Sequence, residues 1–203
     1  AMMALSHQME LLGVNAGTVT NLMNTWTSSY GMNSKEMQKH AGVLFKYAKD
    51  TGQSTERVSR NYESLQESFL DTLDPEVAER QMLAFSTMAD RMGVSAQGLV
   101  ESLKKWDIMD DAQAMGGQLN TVMSTLGMEV DGAAISKMSL EERAKFFSEL
   151  MPKAIEKIKK FDPEEQRNMM RALQQTNTMD MRTMTAFASG RATQQQLSAE
   201  KAA

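Results

Sequence analysis

The sequence predicts an all-α protein made of jointed short helices, their 4-3 apolar stripes closing into helical hairpins or an oligomeric bundle. Three observations predict it. The 203 residues hold only three prolines against 20 methionines, with 6% aromatics, a balance that favours helix over strand. Apolar residues recur at steps of four and three along most of the chain, the spacing of one helix face. Glycines close these stripes and Ser, Asn or Asp residues open the next ones, the chemistry of helix ends.

The helices follow in order. Met2, Leu5, Met9 and Leu12 mark the first stripe, closed by Gly13, with Asn15 as cap of the next. Val19, Met23, Trp26 and Tyr30 carry that second helix to Gly31. Ser34 is expected to cap a third helix with Met37, Ala41, Leu44 and Ala48 inward, ended by Gly52. Ser54 or Thr55 caps a fourth, with Val58, Tyr62, Leu65 and Phe69 on its face. Asp74-Pro75-Glu76 is a start signal, aspartate as cap and proline in the first turn. Ala78, Met82, Phe85, Ala89 and Met92 follow it, and Gly93 closes.

The joints Gly13-Val14-Asn15, Gly52-Gln53-Ser54 and Gly93-Val94-Ser95 share one form: closing glycine, spacer, cap. Each has an aliphatic residue six positions past the glycine, Val19, Val58 and Leu99. The glycines lie 39 and 41 residues apart, which points to a degenerate repeat of about 40 residues, the period of helical-pair arrays.

Beyond the third joint, Leu99, Leu103 and Trp106 form a short stripe, and the chain bends at Trp106-Asp107. A longer helix then carries Ile108, Ala112, Met115, Leu119, Val122, Met123 and Leu126, closed by Gly127, with Asp110 and Asp111 at its positive end. Gly116-Gly117 reads as a close helix approach or a kink. The segment MEVDGAAISKM is the least regular, with Gly132 as a turn. Ser139-Leu-Glu-Glu142 is a capping box, and Leu140, Ala144, Phe147, Met151 and Ile158 follow it. Pro152 is expected to kink or break that helix near Phe147–Met151. Asp162-Pro163 starts another helix with Met170 and Leu173 inward. Thr178 caps the last, Gly190 ends it, and residues 191–203 are expected to fray. The expected segments are 1–31, an N-terminal hairpin; 32–128, a repeat-like region; 129–190, short helices; and 191–203, a flexible tail.

Composition narrows the chemistry. A net charge of −4 supplies no global field for nucleic acid or anionic lipid. With no cysteine, thiolate nucleophiles and thiolate metal sites are excluded. No apolar run approaches the ~18 residues needed to cross a bilayer, and AMMALSHQMELLG does not read as a secretory signal. The chain starts without methionine, which fits a trimmed protein or a portion of a longer one. The methionine content reads as an adaptable helix-packing core rather than a surface that repacks against changing partners. His7 and His40 lack metal-ligand neighbours and read as solvated. No phosphate-cradling loop occurs, so neither catalytic residue, metal nor cofactor is expected. A helix-turn-helix is the alternative: Ala48, Gly52 and Val58, echoed by Ala89, Gly93 and Leu99, would present Arg57 and Arg60 to a major groove. The acidic balance and the neutral second copy, SAQGLVE, weigh against it.

Residues 41–190 resemble a family. AGVLFKYAKDTGQSTERVSRNYESL and MADRMGVSAQGLVESLKKWDIMDDAQAMGGQLNTVMSTLG look like tail tape-measure proteins of contractile-tailed bacteriophages. The pattern is a bend at Trp106-Asp107-Ile108-Met109, an acidic-Ala start at Asp111-Ala112, Gly117-Gln118-Leu119-Asn120 and a closing Leu126-Gly127. KMSLEERAKFFSEL and FDPEEQRNMMRAL resemble the helices that follow in that family. Trp106 stands where phenylalanine is commoner, and TNTMDMRTMTAF matches loosely.

The resemblance implies a structural, non-enzymatic virion protein inside the tail, made in the host cytoplasm. Its partners would be a few symmetric copies of itself, tail tube subunits and the baseplate hub. It would touch membrane only through segments absent here, and no specific nucleic acid. One unbroken helix of this length would span roughly 300 Å, so the joints point to a folded end-region rather than a rod. Trp106, Asp107, Ile108, Leu119 and Asn120, the glycines 13, 52, 93 and 127, and Pro152 are expected as structural residues.

Overall fold

Helices account for all the regular structure among the residues described, 2–72, 74–176 and 181–189 of a computed structural model. Thr178, Gly190 and residues 191–203, expected as cap, stop and frayed tail, lie outside the described residues. The chain divides into two compact units, 1–87 and 88–203. Neither boundary expected at 31/32 or 128/129 separates them, because the first hairpin packs onto the helices that follow it.

Unit one contains α1 (Met2–Leu11), α2 (Ala16–Ser28), α3 (Ser34–Thr51), α4 (Thr55–Gln66) with a 3₁₀ turn at Glu67–Phe69, and most of α5 (Pro75–Met92). α1 packs on α2 and α3, and α2 on α4. The core is the set of 4-3 stripes: Leu5, Met9, Val19, Trp26, Met37, Leu44, Val58, Tyr62, Phe69 and Phe85 are all buried. Met2 and Leu12, at the ends of the first stripe, are not; both stay close to half exposed.

Side-chain bonds in this unit join residues about one glycine interval apart. Asn15 N–H donates to Glu56 Oε2 (2.7 Å) and Asn21 Nδ2 to Glu63 Oε1 (2.5 Å). Tyr30 Oη donates to the Phe69 carbonyl, Lys39 pairs with Glu76, and Tyr47 Oη bonds the Leu83 carbonyl. α2 is thus tied to α4 and its 3₁₀ turn, and α3 to α5, each about one glycine interval further along.

The glycine joints share one hydrogen-bond pattern. Gly13, Gly52, Gly93 and Gly127 have φ of 86°, 68°, 69° and 64°, the left-handed conformation that glycine adopts without a Cβ penalty. The following amide reaches back over the turn in every case: Val14 to Met9, Gln53 to Ala48, Val94 to Ala89 and Met128 to Met123, at 2.9–3.1 Å. This six-to-one bond satisfies a carbonyl the helix end would leave orphaned. Asn15, Ser54 and Ser95 then cap the next helices.

Unit two runs through α6 (Ala96–Lys104), α7 (Met109–Thr125), α8 (Gly132–Ser136), α9 (Leu140–Ile158), α10 (Pro163–Thr176) and α11 (Met181–Ala188). α7 packs on α8 and α10, and α9 on α6, α10 and α11. Trp106, Leu119, Met123, Phe147, Met151, Leu173 and Phe187 form its buried centre.

Three local expectations change. Asn33, not Ser34, caps α3: its side chain accepts from Lys35 and Glu36 amides while Glu36 reaches back to the Asn33 amide. The amide two residues on suits an Asn carbonyl, and Ser34 becomes the first helical residue. Within MEVDGAAISKM, Gly132 opens the short helix α8 instead of marking a turn, and Asp131 caps it through the Ala133 amide. Pro152 neither breaks nor ends α9, which continues from Leu140 to Ile158. Buried Phe147, Met151, Ala154 and Ile158 lie on one face on both sides of the proline, and that burial outweighs the lost amide donor.

Candidate functional site

The bend between α6 and α7 is the most constructed polar feature of unit two. Trp106 is fully buried, its ring 5.6 Å from that of Phe147 on α9. Asp107 beside it pairs with Arg143, whose side chain is 3% exposed against 49% for the aspartate. The same guanidinium donates to the carbonyls of Leu103 (2.9 Å), Ile135 (3.0 Å) and Ser136 (2.9 Å). Those carbonyls belong to the last turns of α6 and α8. A cation there satisfies orphan acceptors and complements two helix dipoles together.

Lys157 does the same one helix end further along. Its Nζ donates to the Leu126 and Gly127 carbonyls at 2.5 and 3.4 Å, beyond the end of α7. α9 therefore delivers two cations to the C-terminal ends of three preceding helices. Asn120, half-buried on α7, accepts from the Val130 amide at 2.9 Å and ties down the chain entering α8.

The crossing of α7 and α8 rests on absent side chains. A Cβ on Gly116 would lie 2.4 Å from the Gly132 Cα, and one on Gly132 would lie 2.0 Å from the Ala112 carbonyl oxygen. Gly117, next in sequence, has open space. Gly116 is thus the close-approach residue of the pair.

Ile108 departs from its expected place on the packed face of α7. It is 62% exposed. It occupies the N-cap position with extended backbone, φ −83° and ψ 115°, so its side chain does not follow the direction set by the helical turns behind it. With Lys105, Asp111 and Met115 it lines a shallow surface groove.

Unit one holds a second buried polar cluster. His40 is not solvated as expected; it is 4% exposed, and its Nδ1 lies 2.9 Å from Oε1 of Glu79, itself 5% exposed. The His40 and Tyr62 rings lie 6.2 and 6.3 Å from Trp26. Burial pushes the Tyr62 hydroxyl pKa well up, and the Glu79 carboxylate adds to that rise, so its neutral form is favoured. His7 is exposed on α1.

Of the expected anchors, Asp107 pairs with a residue that spacing did not single out, while its neighbour Trp106 rests on Phe147. Arg143 lies one position past the capping-box glutamate, and only its place in the Glu-Arg helix of the resembling segment marks it. His40 and Glu79 carry no local signal, because the helices bearing them meet only in the fold. Among the described residues no group of three potential ligands could hold a metal ion, and no helix is long and apolar enough to cross a membrane.

No protein-family model, curated protein or solved structure matches the chain.

Proposed function

We propose that this chain is a folded portion of a tail tape-measure protein of a contractile-tailed bacteriophage, a structural component of the tail tip or tube lumen. One observation carries the proposal. The separate segments that bear the resemblance make direct bonds with one another: Asp107 of the bend pairs with Arg143 of the Glu-Arg helix, and Trp106 rests on Phe147. α10, which contains the last resembling segment, packs on α7. The residues of this pattern serve architecture, fixing helix ends and crossings, as a static part of a tail demands. In this role the chain is not an enzyme, and it works beside tube and baseplate hub proteins in several copies.

The DNA-binding alternative has less support. Arg60, a contact residue in that scheme, pairs with Glu56 at 2.7 Å, and Glu56 also accepts the Asn15 amide. The exposed side of α4 thus sets a carboxylate beside its arginine, unfavourable for a phosphate surface.

Mass spectrometry of purified virions, from a phage whose genome encodes the chain, tests the proposal. Peptides from residues 1–203 are expected in the tail fraction. Their confinement to infected-cell lysate, with none in intact tails, would overturn the assignment.

A further inference from the structure

The joints at Gly52 and Gly93 carry matching stripes on both sides. At the 41-residue interval, Met37, Ala41, Leu44 and Ala48 of α3 fall on Ala78, Met82, Phe85 and Ala89 of α5. All of them are buried. Beyond the joints, Val58 and Leu65 fall on Leu99 and Trp106, buried as well. In apolar pattern α3 and α5 are therefore near equivalents. Stripes this alike invite exchange of helices between copies, a characteristic error of repeat chains.

The buried polar residues break the equivalence. Trp26, His40, Tyr62 and Glu79 come one each from α2, α3, α4 and α5, and all four are buried. His40 Nδ1 approaches Glu79 Oε1 to 2.9 Å, yet neither atom makes an aligned hydrogen bond within the chain, nor does Trp26 Nε1. Such a cluster adds little stability, because desolvation of its groups offsets their attraction. At the same 41-residue interval His40 corresponds to half-buried Gln81, Glu79 to exposed Gln38, and Tyr62 to Leu103. An imidazole thus opposes a carboxylate in one pairing alone. Setting the α5 of a second copy where α3 belongs would bring Gln81 against Glu79, and the buried carboxylate would lose its imidazole. Setting α3 in the place of α5 would bring Gln38 against His40, burying an amide that now lies in solvent.

We propose that the His40–Glu79 contact is a register key, which makes α3 accept the α5 of its own chain and reject the equivalent stripe of a second copy. Fixing register and partner choice at a cost in stability is the best-attested use of a buried polar group. The key acts whether or not the chain belongs to a tail, so its failure and the failure of the tail assignment are separate results.

Refolding from urea at high micromolar concentration tests it, read by size exclusion and by the indole N–H resonances of the two tryptophans. The wild type is expected to return to the species it formed before unfolding, with one resonance for each indole. His40→Leu and Glu79→Met, made singly, should each lower the folded-to-unfolded ratio by about a hundredfold or more, since each strands the other buried group. The double variant should keep a urea midpoint at or above that of the wild type. On refolding it should nevertheless give a second, larger species with additional indole resonances. A double variant that refolds to the wild-type species alone, or that loses stability as the single variants do, would overturn the proposal. Single variants as stable as the wild type would overturn it too.

Discussion

Arg143 and Asp107, 36 residues apart, form an ion pair in which the cation is buried and the anion is half in solvent. The asymmetry decides what each contributes. Arg143 also holds three backbone carbonyls, so its removal strands buried acceptors, while Asp107 can be hydrated in place.

Arg143→Ala should therefore destabilise unit two by about 3–5 kcal/mol, the cost of breaking a buried charge network. Asp107→Asn should cost about 1 kcal/mol, in the range of solvent-screened pairs. Urea unfolding followed by Trp106 fluorescence, in a Trp26→Phe background so that only unit two reports, measures both. Equal effects would show that the aspartate, not the carbonyls, holds the arginine.

Neighbouring glycines on α7 should respond in opposite directions. Gly132→Ala and Gly116→Ala each force a methyl into backbone of the crossing helix, costing about 1–3 kcal/mol or more. Gly117→Ala meets nothing and removes unfolded-state freedom, so it should stabilise by about 0.5–1 kcal/mol. The same unfolding assay ranks the three variants. A neutral Gly132→Ala would mean that the α7–α8 crossing is looser than described.

Pro152→Ala should stabilise α9. The proline has no amide for the carbonyl one turn back, and α9 runs through it regardless, so restoring the donor should add about 1–3 kcal/mol. A loss of stability would show that the ring's packing matters more than the missing bond.

Asp162 gives a pH dependence of known sign. Its side chain accepts from the Glu165 and Glu164 amides at the start of α10, and the Glu165 amide foremost holds its pKa below the usual carboxylate value. A depressed pKa contributes stability above the unfolded value, near 4, and that contribution is lost as pH falls through the folded value. The stability gap between wild type and Asp162→Ala should therefore be widest near neutrality and close below about pH 4. Thermal melts across that range check it; a constant gap would remove the charge from the account.

The helices and their ends were legible because their causes are local. A stripe such as Ala78, Met82, Phe85, Ala89 and Met92, or a cap such as Ser139 with Glu142, is written within a few residues, and each formed as its spacing required. The departures are equally physical. Asn33 outcompeted Ser34 because its longer side chain spans two amides, and Pro152 was overruled by burial on both sides of it.

What the sequence by itself determined is the set of joints: glycine, spacer and cap at intervals of 39 and 41 residues, with the left-handed turns they impose. Only the tertiary structure decided which polar groups would be buried together. His40 found Glu79, and Arg143 found the ends of α6 and α8, through helix packing that brings distant residues side by side. Local spacing carries no record of such meetings, because a buried charge is tolerated only where another part of the fold supplies its partners.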